Sequence, residues 1–126
     1  MAEKEPEWWS DIPKRVKVGW MNYSVVLCLS RDMDKRGSIG EHDGNKSELR
    51  VDPELRRPYV GEVLYHEVLH AIWEVWHFVD EKIESVGEEM MVSVFSNAFC
   101  TVMVDNPGLY AWIEAALRSG FEKGEA

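Results

Sequence analysis

The run His66-Glu67-Val68-Leu69-His70 holds the residues of this 126-residue chain whose types and spacing could do chemistry. On a helix, positions i and i+4 share one face at neighbouring turns, so two imidazoles can each direct a ring nitrogen at one Zn²⁺ ion at about 2.0 to 2.1 Å. Glu67 is rotated about 100° from His66 and would face the open side of that ion. There its carboxylate can take a proton from water, the general-base role of an H-E-x-x-H pattern. The spacing therefore predicts a hydrolytic metal site. The competing reading is two hydrogen-bonded helix histidines and a glutamate in a surface ion pair.

Catalytic zinc takes three protein ligands and leaves a fourth position open, so a third ligand is needed. His77 returns to nearly the angular position of His66, but eleven residues of straight helix separate the two by about 16 Å. Glu74 fails similarly, about 12 Å from His66 along the axis. The acidic stretch that follows offers Glu81, Glu84, Glu88 and Glu89. Apolar positions Val92, Phe95, Phe99, Val102 and Met103 predict one buried face of a second helix. Projected back at about 100° per residue, Glu88 falls near the centre of that face and Glu89 at its edge. A buried carboxylate needs a partner, and a metal would be one. Ser85-Val86-Gly87-Glu88 also matches an S-x-x-E capping box, so Glu88 as ligand, Glu89 as the alternative ligand, and Glu88 as a helix cap all stay open.

The elements that must position these residues are readable in outline. Val60, Val63, Leu64, Val68, Ala71, Ile72, Val75 and Trp76 recur at spacings of three and four, which predicts a half-buried helix beginning near Pro58. Arg15 to Trp20 and Tyr23 to Leu29 read as strands, with Met21-Asn22 as the hairpin turn. Gly37 to Asn45 is rich in Gly and charge and reads as a loop, whereas Ser47 to Val51 alternates as a short strand leading through Asp52-Pro53 into the helix. Asp105-Asn106-Pro107-Gly108 is a turn signal, followed by a helix from Leu109 to Leu117 with an apolar face of Leu109, Trp112, Ile113 and Leu117.

With these elements in place, the chain resembles the zincins, and within them the gluzincin pattern of H-E-x-x-H followed some twenty residues later by a Glu on a second helix. It is also similar to small phage and prokaryotic metallopeptidase-like proteins of the ImmA/IrrE type. The matching residues are Leu64 to Ile72, then Glu88-Glu89 with the Val92 to Phe99 helix, and less specifically Glu48 to Pro53. The resemblance implies an α+β fold: a minimal zincin-like domain with a small twisted N-terminal sheet packed on the active-site helix and a second, Glu-bearing helix. It implies a bound zinc ion, peptide-bond hydrolysis, and a strand at the cleft rim able to pair with an extended substrate, although which strand is not readable. The chain departs from larger gluzincins in lacking an Asn-Glu-Ala-type sequence around the third ligand and a separate C-terminal domain with extra transition-state donors.

Length and 45% apolar content fit a single domain over residues 1–126, with 1–10 a possible loose arm that Trp8 and Trp9 could dock and 121–126 a frayed tail. No signal segment or membrane-spanning run is present, which points to the cytoplasm. Cys28 and Cys100 read as buried reduced thiols. A net charge of −9 argues against a nucleic-acid partner, and the resemblance implies a protein or peptide substrate. Tyr59, Tyr65, Tyr110 and His42 are candidate hydrogen-bond donors to a developing oxyanion, and Asp52, Ser96 and Asn97 candidate acceptors for the outer histidine nitrogens. Besides the peptidase, two other readings remain: a zinc-stabilised interaction or regulatory module with little turnover, and an acidic surface that mimics nucleic acid.

Overall fold

The computed structural model describes residues 6–35, 37–76 and 87–123, without the side chains of Glu88 and 121–123. Among the described residues the fold is α+β, a four-stranded mixed sheet with three α-helices. Strands β1 (Arg15–Val18) and β2 (Met21–Leu27) form an antiparallel hairpin, with Val18 paired to Met21. The turn is therefore Gly19-Trp20 rather than Met21-Asn22. Gly19 sits at φ +61°, a conformation that suits glycine in a two-residue turn.

The largest departure from expectation lies at 40–43, read above as loop. Gly40–Asp43 is a strand, β3, antiparallel to β4 (Glu48–Val51), which in turn runs parallel to β2. The sheet order β1-β2-β4-β3 makes β3 an edge. A Gly-Glu-His-Asp strand carries no apolar alternation because its inward face offers only Gly40, against Val63, and His42, against Tyr23, while Glu41 and Asp43 face the ion cluster around Arg50. Its pairing is decided by backbone hydrogen bonds to β4 and by Arg50.

Helix α1 (Arg57–Val75) lies across one face of the sheet. Val16, Val18, Tyr23, Leu49 and Val51 point toward it, and Val60, Val63, Leu64, Val68, Ala71, Ile72 and Val75 answer from the helix, all within one buried cluster. Burying such a side chain contributes about 1.5 to 3 kcal/mol, so this contact fixes α1 on the sheet. Arg56 is extended, and Pro58 occupies the first turn where a missing N–H costs nothing. Trp8 and Trp9, on a 3-10 turn at Glu7–Asp11, pack against the same cluster.

Helices α2 (Glu88–Asp105) and α3 (Pro107–Lys123) are separated by Asn106 alone. Asn106 accepts from the backbone N–H of Lys17 (2.8 Å) and donates to the Lys17 carbonyl (2.6 Å) and the Val102 carbonyl (2.9 Å), so its amide covers the free edge of β1. On α2 the buried residues are Ala98 and Val102, with Met91, Val94, Phe95 and Phe99 packed beside them, whereas Val92 and Met103 are exposed. The inner face is thus turned from the one expected. An apolar residue occurs at nearly every angle of this helix, so periodicity alone does not single out a side. On α3, Ala116 is buried where Leu117 was expected, and Leu117 is exposed. Cys28 is half-buried and Cys100 is exposed, both as free thiols, which corrects the expectation that both are buried.

Arg50 of β4 clamps β3 in place. Its Nε donates to Glu48, one terminal nitrogen to Asp34 and Glu41, and the other to Asp43, at 2.7–3.1 Å. Burial works against the guanidinium charge, but the surrounding carboxylates more than offset it and hold Arg50 protonated. Burial also raises the Glu41 pKa, yet donation from the Lys35 and Asp34 backbones and from Arg50 leaves it below the ordinary range. The Lys46 backbone N–H and Arg50 lower that of Asp43. Arg50→Met should therefore destabilise the fold by roughly 2 to 3 kcal/mol, less than for a fully buried pair because Asp34 is 75% exposed. Depressed carboxylate pKa values in the folded state mean that the stabilisation is complete above about pH 5 and is lost progressively as pH falls further. Denaturant titrations of both proteins across pH 7 to 3 should show the gap between wild type and variant closing toward acid.

Candidate metal centre

Helix α1 presents His66 and His70 on its exposed side and Glu67 on its buried side. The two Nε2 atoms stand 3.2 Å apart, with ring centroids 4.8 Å apart and planes inclined by 70°. Two nitrogens bound to one tetrahedral zinc at about 2.05 Å would be about 3.3 Å apart, so the donor set fits two ligand positions of such an ion. Burial, followed by the neighbouring His66 and His70's other neighbour His42, pushes the His70 pKa below the usual histidine value. At neutral pH its ring is therefore uncharged and keeps a lone pair to offer.

Glu67 is 5% exposed. Its position depends on Gly40 of β3: a Cβ there would overlap Val63 Cγ1 and lie 2.9 Å from Glu67 Oε2. With no side chain at Gly40, the edge strand closes onto the helix and burial raises the Glu67 pKa, an effect opposed by His66 and reinforced by Glu41. A carboxylate raised in this way is better matched to accepting and returning a proton near neutrality. Neither Gly40 nor the acidic residues around Arg50 were singled out as site residues from the sequence. The only available signal was the Glu-x-Asp and Glu-x-Arg alternation at 41–43 and 48–50, which marks a polar strand face.

His66, Glu67 and His70 open into a cleft of about 580 Å³ that also takes in Gly40, His42 and the carboxylate side of β3. Of the four candidate oxyanion donors, His42 alone lines this cleft among the described residues. Its Nε2 lies 3.3 Å from the Tyr23 hydroxyl and 3.4 Å from Glu74 Oε1, and the Tyr23 hydroxyl also donates to Glu74 at 3.3 Å. Burial, and then Glu74, raise the Tyr23 pKa, so the phenol stays protonated and anchors both partners. Glu74, which does not line the cleft, reaches Gly44 just beyond β3. Tyr65 and Tyr110 instead pack against each other between α1 and α3, and Tyr59 is exposed.

The third ligand is not found among the described side chains, where no group of three or more His, Cys, Asp or Glu residues could hold a metal. Glu88 opens α2, but its side chain lies outside the described residues, as do His77, Glu81, Glu84 and the Ser85-Val86 part of the capping box. Glu89 is exposed. The expected outer acceptors also lie elsewhere. Asp52 accepts from Ser30 and from the Glu54 backbone and so pins the turn before α1, while Ser96 and Asn97 are exposed on α2. No helix among the described residues is long and apolar enough to cross a membrane. Comparison with protein-family models, curated proteins and solved structures finds no match for this chain.

Proposed function

We propose that this chain is a zinc-dependent peptidase with a zincin-like domain, in which His66, His70 and Glu88 hold the metal and Glu67 is the general base. The observation that carries this reading is the pair of Nε2 atoms 3.2 Å apart beside a buried carboxylate that faces the same cleft. Support for Glu88 comes from the inner line of α2. It lies three residues before Met91, which packs toward the core together with Phe95, Ala98 and Val102, whereas Glu89 points to solvent.

Zinc bound there supplies a Lewis acid that acidifies water and polarises a peptide carbonyl. Glu67 receives the proton of the attacking water on its carboxylate and returns it to the leaving nitrogen. Gly40 fixes the position of that carboxylate. His42, anchored by Glu74 and Tyr23, is the donor best placed to steady negative charge on the substrate oxygen. The two sheet edges differ: Asn106 covers β1, and no described strand pairs with the outer side of β3. An extended peptide can pair there through backbone hydrogen bonds without demanding much of its sequence.

A zinc-stabilised module with little turnover is the second reading, because Tyr65 and Tyr110 pack on each other away from the cleft and Tyr59 is exposed, which leaves His42 as the single candidate oxyanion donor among the described residues that line it. Glu67→Gln separates the two. Metal analysis of protein purified without added metal should give one zinc per chain, lost in His66→Ala and His70→Ala and retained in Glu67→Gln. In a peptide-cleavage assay Glu67→Gln should lower kcat about 10²- to 10⁴-fold. No bound metal in the wild type would exclude both zinc readings, and metal without cleavage would leave only the module. Competition with a zinc-chelating dye should show Glu88→Gln weakening zinc at least about tenfold and Glu89→Gln leaving it unchanged; the reverse pattern would move the ligand to Glu89.

A further inference from the structure

Away from the histidine cleft, a cavity of about 280 Å³ lies where the start of α1 meets α3 and the 3-10 turn at Glu7–Asp11. Trp8, Leu55 and Pro58 form its apolar wall, and Arg56, Arg57 and Ser119 supply its polar groups. The Ser119 hydroxyl donates to the Ala116 carbonyl at 2.6 Å, so the donors left to the cavity are those of the two arginines. Among the described residues no carboxylate lines it. In a chain with a net charge of −9, two adjacent cations at one cavity without an acid run against the charge of the whole.

Arg57 carries a second observation. Its Nε–H is buried and has no hydrogen-bond partner. Neither Arg56 nor Arg57 joins an ion pair among the described residues, and Arg56 rests over the Tyr59 ring, 5.8 Å from its centroid. Buried donors in folded proteins are nearly always satisfied, so one left open at the wall of a cavity marks the place of a missing acceptor. A guanidinium offers five donors and no acceptor, in a fork that matches the two oxygens of a carboxylate. Water there would satisfy the Nε–H but would leave the two charges unbalanced and the tryptophan wall wet. The volume is near the roughly 300 Å³ lower end of small-molecule sites.

We propose that this cavity binds a small organic acid, with the carboxylate on Arg57 and Arg56 and an aromatic or aliphatic body against Trp8, Leu55 and Pro58. The site stands apart from the peptidase reading, because none of its residues lines the histidine cleft. An uncharged amide of the same shape keeps the apolar contact and loses the charge-assisted hydrogen bonds. Inorganic phosphate keeps the charge and loses the apolar contact.

Proton–nitrogen correlation spectra of the full chain test this. The Arg57 Nε–H resonance is identified by its loss in Arg57→Lys, and the Trp8 indole N–H by its loss in Trp8→Phe. Phenylpropionate should shift both resonances together and saturate them with a Kd of about 1 mM or below. Phenylpropanamide and inorganic phosphate should each bind at least about tenfold more weakly. Arg57→Gln should weaken the acid at least about tenfold and leave the amide unchanged, with circular dichroism showing the fold intact. Should that variant not fold, Arg56→Gln gives the same pattern at smaller amplitude. Resonances that phenylpropionate does not move, or equal affinity for acid and amide, would overturn the proposal. Phosphate binding more tightly than the acid without moving the Trp8 indole would overturn it as well, since the site would then hold a bare anion.

Discussion

The close approach of β3 to helix α1 at Gly40 is the contact on which the rest of the site depends. A side chain at that position would overlap Val63 and crowd Glu67, so the edge strand could not lie against the helix. Because it does, three things follow from one missing Cβ. Glu67 is buried, His42 is carried to the same cleft as the histidine pair, and the cleft is bounded by a strand edge instead of a loop. Backbone proximity here determines the electrostatics, since the burial that raises the Glu67 pKa comes from the strand that Gly40 admits.

An edge strand as polar as Gly-Glu-His-Asp has little hydrophobic reason to stay in place, and Arg50 provides the alternative. One guanidinium reaching Asp34, Glu41, Asp43 and Glu48 joins the crossover segment, β3 and β4. The same arrangement concentrates carboxylates beside the cleft. At the opposite edge of the sheet, Asn106 acts as a surrogate strand for Lys17, protecting β1 from unwanted pairing. Among the described residues, the sheet edge away from the histidines is covered by Asn106, and no strand pairs with the edge beside them.

Much of this framework was legible in the sequence because it rests on local periodicity. The i, i+4 spacing of His66 and His70 on an apolar helix was enough to bring their ring nitrogens together, and the stripe from Val60 to Val75 identified the buried side of α1. Reading failed where the period was ambiguous or absent. In α2, where Phe95, Phe99 and Val102 face inward as expected, apolar residues at nearly all angles hid that Ala98 joins them and that Val92 and Met103 do not. At 40–43 there was no alternation to find, because one face of β3 meets the cleft and the other an ion cluster.

The sequence by itself determined the helical spacing of His66, Glu67 and His70, the apolar stripe of α1, the strands other than 40–43, and the net charge of −9. These are properties of neighbouring residues or of composition, fixed before any long-range contact forms. Tertiary structure alone decided that 40–43 is an edge strand, that Gly40 seats it on Glu67, that His42 rather than the tyrosines shares the cleft, and that four carboxylates gather on Arg50. Each of these depends on residues distant in the chain meeting in space, and pairing of that kind leaves no periodic trace in either partner.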